Sequence, residues 1–75
     1  MYIVSISVNK REKEVPEVQE VLTQFGENAI ARLGLHGCAK ELEGLILVIY
    51  KGDDIEEFVE TLNSINDVSV NFMET

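Results

Sequence analysis

The stretch Gly44-Leu45-Ile46-Leu47-Val48-Ile49-Tyr50 constrains the fold of this chain more than any other. It is apolar at every position after the glycine and rich in branched residues, as strands are, and it is too short to cross a bilayer. An antiparallel strand with one wet face alternates apolar and polar residues, and this one does not. Either it is a central strand covered on both faces, or another subunit buries part of its sheet.

The remaining elements have to serve that strand. Tyr2, Val4, Ile6 and Val8 alternate with Ile3, Ser5 and Ser7, which predicts a first strand with one core face. A charged connection follows at residues 9–13. A helix is expected from about Glu14 to Phe25, with Pro16 in its first turn and Val15, Val18, Val21, Leu22 and Phe25 as its apolar stripe. Gly26 stands where a left-handed cap would end it. Residues 28–34 form a weaker strand pattern, and residues 35–43 are expected to be a long hairpin connection. After Lys51-Gly52, Asp53 with Glu56, or Asp54 with Glu57, has capping-box spacing. Ile55, Phe58, Val59 and Leu62 then mark a second amphipathic helix to about Ser64. Asn66-Asp67 turns the chain into a last strand, in which Val68, Val70 and Phe72 alternate with Ser69 and Asn71.

The order β-α-β-β-α-β is the split-βαβ, ferredoxin-like α+β motif over residues 1–75, as one domain. Right-handed crossovers put both helices on one face of a four-stranded antiparallel sheet, in the order 4-1-3-2. The first and third strands are then central, yet one sheet face has no cover. Either Ile46, Val48 and Tyr50 or Leu45, Leu47 and Ile49 lie on it. Soluble monomers seldom expose such a surface, so a homo-oligomer, dimer or tetramer, is expected. Size agrees: a 75-residue core rarely gives more than roughly 3–5 kcal/mol alone.

Cys38 is the single cysteine, so no internal disulfide staples the fold, which favours a reducing compartment. The amino terminus has no basic leader or long apolar run, and a soluble, cytoplasmic protein is expected, with no membrane association. Fourteen acids against six Lys and Arg give a net charge of −8, which repels a phosphate backbone and argues against direct nucleic-acid binding.

Several stretches resemble the small iron-only hydrogenase system regulators, an ACT-like family. They are the hydrophobic first strand, Phe25-Gly26, Ile30-Ala31-Arg32-Leu33-Gly34-Leu35, the apolar strand ending at Lys51-Gly52, and Leu62 through Asp67-Val68-Ser69-Val70. The Arg-x-Gly pair, Arg32 and Gly34, is the most distinctive part. The resemblance implies an oligomeric ferredoxin-like regulatory domain without a DNA-binding module of its own, and it brings no defined reaction. ACT domains bind amino acids beside a glycine-bearing turn after the first strand. Here that turn is Asn9-Lys10-Arg11-Glu12, without glycine. The C-terminal domain of nickel-responsive repressors shares the topology and binds nickel through several histidines and a cysteine. This chain has one histidine.

Candidate chemistry is sparse. Arg32 and Gly34 suit an anionic ligand, since a guanidinium matches carboxylate or phosphate and a glycine lets the backbone come close. The plain alternative is an edge-strand charge that discourages aggregation. His36-Gly37-Cys38 offers two metal ligands per chain, enough for a tetrahedral site shared by two subunits, against the default of an ordinary surface loop. A Cys38 nucleophile would need an orienting group and an oxyanion hole that the sequence does not identify. The reading is a non-enzymatic oligomeric regulatory module, with no resident cofactor, that binds a small ligand or a partner protein. The alternatives are a metal-responsive sensor using His36 and Cys38, and a small ferredoxin-like enzyme.

Overall fold

The computed structural model spans residues 1–75 and describes residues 1–8, 11–39 and 42–75, with side chains at 1–8, 16–34 and 44–75. Its elements are β1 (Tyr2–Val8), α1 (Arg11–Gln24), β2 (Ala29–Ala39), β3 (Leu42–Tyr50), α2 (Ile55–Asn63) and β4 (Val68–Glu74). They form one antiparallel sheet in the order β2-β3-β1-β4, the ferredoxin-like α+β arrangement. The apolar stretch is therefore an inner strand, and β2 and β4 are the edges.

Register decides which residues share a face. Tyr2 pairs with Tyr50, Val4 with Val48 and Ile6 with Ile46, while Val4 and Ile6 also face Phe72 and Val70 of β4. This side meets the helices. Val18, Val21 and Leu22 of α1 and Ile55, Phe58, Val59 and Leu62 of α2 are buried on it. The ring of Phe58 stacks on Tyr50 at 4.3 Å, and Phe25 meets it edge-on at 5.3 Å. Such ring pairs add about 0.5–1.5 kcal/mol beyond area burial. The opposite side carries Leu45, Leu47 and Ile49 of β3, which settles the open alternative in their favour.

Four expectations need correction. Helix α1 begins at Arg11, so Pro16 is its sixth residue and the carbonyl at position 12 loses its usual donor. Arg11, Glu12, Lys13 and Glu14 are good helix formers, and their propensity carries the helix back past the proline. Residues 35–39 and 42–43 are strand rather than loop, because pairing with β3 overrides weak local preference. Gly26 lies outside the left-handed region. Its small size matters instead, since a Cβ there would sit 3.1 Å from the Thr23 carbonyl oxygen. Finally, Asp54 is the N-cap residue of α2 but makes no side-chain cap hydrogen bond. Its carboxylate is engaged elsewhere.

One irregularity bears on the edge. Ala29 pairs with Tyr50 and Ala31 with Ile49, so Ile30 is an extra residue, a bulge. Beyond it Arg32 faces Val48, and Gly34 faces Ile46. Asp67 has φ 63°, a left-handed turn conformation that aspartate tolerates better than most residues.

Candidate functional site

Arg32 stands on the helix side of the edge strand β2. Its Nη1 donates to Oε1 of Gln19 on α1 at 2.7 Å, so a neutral amide orients the guanidinium and leaves its other donors outward. An open groove of about 370 Å³ runs beside it, with Leu22 and Thr23 on one wall and Ala29, Ile30 and Ala31 on the other. A Cβ added at Gly34 would meet nothing within 4 Å. Among the described residues no neighbour requires glycine there. Arg32 and Gly34 thus share one side of one strand, and the guanidinium has N–H donors beyond the one given to Gln19.

A second polar centre was not legible in the sequence. Tyr50 Oη donates to Oδ1 of Asp54 at 2.8 Å, and Nδ2 of Asn28 donates to the same oxygen at 3.3 Å. The backbone N–H of Lys51 donates to the Asn28 carbonyl at 2.8 Å, which ties the entry of β2 to the exit of β3. Gly52 fits beneath this node: a Cβ there would lie 2.6 Å from both Asn28 Nδ2 and Asp54 Oδ1. Burial, and then the bond to Asp54, pushes the Tyr50 phenol up to about 12. It is a fixed donor near neutral pH, not a base. An open groove of about 500 Å³ adjoins the node, with Glu27, Asp54 and Glu57 on its walls, so it suits cations over anions. The signal that could have found the centre is the i, i+4 spacing of Tyr50 and Asp54 around a glycine.

The open side of the sheet is the third feature. Ile3 faces Ile49, Ser5 faces Leu47 and Ser7 faces Leu45, with Ala31 and Leu33 beyond β3 and Ser69, Asn71 and Met73 beyond β1. Leu33 is 56% exposed and Met73 60%. None of these residues is charged.

The metal expectation is a different case. His36 pairs with Gly44 along the backbone, and the pairing shifts between His36 and Ala39, where Cys38 falls. The side chains of His36 and Cys38 lie outside the described residues. Among the described residues no group of three or more His, Cys, Asp or Glu side chains could hold a metal ion. Nor, among them, is any helix long and apolar enough to cross a membrane.

Topology, register and one helix-covered face define a ferredoxin-like α+β domain. The chain belongs to the TM1266-like family, described as "Iron-only hydrogenase system regulator, putative", which it matches over residues 1–72. It is similar to the uncharacterized protein TM1266 from Thermotoga maritima, whose solved structure is 30% identical with a TM-score of 0.82, over 96% of this chain and 91% of that one. It is also similar to the 5-chloro-2-hydroxyhydroquinone dehydrochlorinase of Burkholderia phenoliruptrix AC1100, solved with 2,5-dihydroxybenzoquinone. That match has 13% identity and a TM-score of 0.57, over 99% of this chain and 94% of that one. At such identity the likeness is one of fold alone. The comparison with curated proteins found no match.

Proposed function

We propose that this chain is a non-enzymatic, cytoplasmic regulatory module of the iron-only hydrogenase system, working as a homo-oligomer that responds to a small ligand or a partner protein. The observation that carries the reading is the family match over residues 1–72, supported by the 30% identity to TM1266. The net charge of −8 fits a regulator that reaches nucleic acid only through a partner. Deleting its gene in the source organism and measuring hydrogenase transcripts and hydrogen evolution tests the reading directly. Unchanged transcripts under every growth condition that induces the hydrogenase would overturn it.

Arg32 and Gly34 are the positions at which an anionic ligand would be read. What favours them is the orientation of the guanidinium by a neutral partner, beside a groove of mixed polar and apolar lining. A thermal-shift screen of small carboxylates and phosphates measures this. A hit should vanish in Arg32→Ala and weaken in Arg32→Lys, because lysine lacks the planar fork. A hit indifferent to both substitutions places the ligand elsewhere.

A further inference from the structure

We infer that the open sheet face seats a second copy of this chain, face to face about a two-fold axis, with both helix layers outward. This rests on the oligomeric reading above and adds the surface and the geometry.

Charge selects the occupant. Acids stand exposed on the helix faces, at Glu17, Glu20, Glu56, Glu57 and Glu60, and on the turns at Glu27 and Asp53. Two chains of −8 repel each other wherever those surfaces approach. The described side chains of the open face, at positions 3, 5 and 7 of β1, 31 and 33 of β2, 45, 47 and 49 of β3 and 69, 71 and 73 of β4, carry no charge. Facing sheets pack about 10 Å apart, so the acidic helix layers of two stacked copies lie about 30 Å from one another, several Debye lengths at physiological salt. A basic partner would be drawn to the acids and gain nothing from this face. Among the described surfaces, an equally acidic copy meets less like charge here than at the helix faces.

One rival geometry is edge pairing through β2. Helix α1 lies close to that edge, as the Gln19–Arg32 bond shows. Joining two β2 strands would therefore bring two α1 helices side by side, with Glu17 and Glu20 of each near the other. That arrangement concentrates like charge where face packing separates it.

The dimensions set an interface at the small end of specific contacts. Four strands at about 4.8 Å spacing and seven residues at about 3.3 Å each give a face of roughly 19 by 23 Å. That is about 450 Å² in projection before side-chain relief, against about 600 Å² of accessible surface per partner at the lower bound of specific interfaces. Leu33, Leu45, Leu47 and Ile49 make the β2–β3 half of the face apolar, and Ser5, Ser7, Ser69 and Asn71 make the β1–β4 half more polar. A two-fold contact uses the same patch on both copies, so it closes on itself.

Sedimentation velocity of the full chain between 1 and 100 µM, at 50 and 500 mM NaCl, tests the inference. Wild type should dimerise, with a dissociation constant that changes less than about five-fold across that salt range. Leu47→Glu should weaken the dimer about 100-fold or more by burying an unpaired charge. Leu33→Glu should do the same, and because Leu33 is 56% exposed within one chain, that variant keeps the fold, as circular dichroism will show. Monomeric wild type would overturn the inference. So would dimers that survive both substitutions, which would leave an oligomeric regulator joined by another surface. A wild-type dimer that tightens ten-fold or more with salt would point to edge pairing and also overturn it. Hydrogenase transcripts read the regulatory role independently of all three outcomes.

Discussion

Strand β3 has two apolar faces that meet different surroundings. Val48 and Tyr50 are fully buried under the helices, and Tyr50 stacks on Phe58. Leu45, Leu47 and Ile49, one residue out of step, are only partly covered and look out between serines. The two sets are close in hydropathy and opposite in commitment. The helix-side set is held by the chain's own topology, so its burial does not depend on concentration. The remaining exposed part of the open set is covered only to the extent that something arrives. Apolar content alone therefore measures how much surface wants cover, not where the cover comes from.

The sharpest way to break the comparison is to truncate one residue on each side. Phe58→Ala should lower unfolding free energy by about 3–5 kcal/mol, since it empties a closed site beneath two rings. Leu47→Ser should cost about 2 kcal/mol, less than the loss at Phe58, when chemical denaturation is followed below micromolar concentration, where each chain stands alone. Similar losses for the two would mean the faces are equivalent after all.

Alkaline pH probes the helix side next. The raised Tyr50 value means the folded chain holds the neutral phenol more tightly than the unfolded chain does. Below pH 10 both states are protonated and stability is flat with respect to this group. Between pH 10 and about 12 only the unfolded chain loses the proton, so stability falls, by about 2–3 kcal/mol across that window. Urea titrations at pH 9 and pH 12 should show the fall in wild type and lose most of it in Tyr50→Phe. A slightly smaller effect belongs to Gly52→Ala, which drives a methyl between Asn28 and Asp54 and should cost about 1–2 kcal/mol in thermal unfolding. Smallest of all, Arg32→Ala should change stability by no more than about 0.5 kcal/mol, since an exposed guanidinium bonded to a neutral amide holds little together. A larger loss would make Arg32 a structural residue first.

Much of this architecture was readable in the residues. Alternation fixed β1 and β4 and the i, i+3, i+4 stripe fixed α2, because each pattern reports a single face meeting a single layer. The uncovered face followed from topology. Strand β2 was harder, since Ala29, Ala31 and Gly34 have low strand preference and draw their pairing from β3. The hairpin beyond Gly34 looked like a loop for the same reason. Asp54 has the spacing of a cap, but a carboxylate already accepting from Tyr50 and Asn28 has no oxygen aimed at the helix N–H groups. Local sequence could show the donor and acceptor types, not the partner that takes precedence. Within the candidate anion site, Arg32 and Gly34 were visible as an oddity in an apolar run, whereas Gln19 belongs to another element and carried no local signal.

The bulge at Ile30 has a consequence for any variant of this chain. A strand counts residues by parity, and one extra residue inverts the count. Because of Ile30, positions 29, 32 and 34 share the helix side, while 31 and 33 share the other. An uninterrupted alternation from Ala29 would set Arg32 opposite Leu47, in the middle of the uncharged face. Losing Ile30 alone would straighten the ladder and leave Arg32 opposite Val48, whereas a register slip on this strand is a larger event than most point substitutions. A slip that closed the bulge with every residue kept would carry a cation from the groove to the open surface without changing the identity of any side chain.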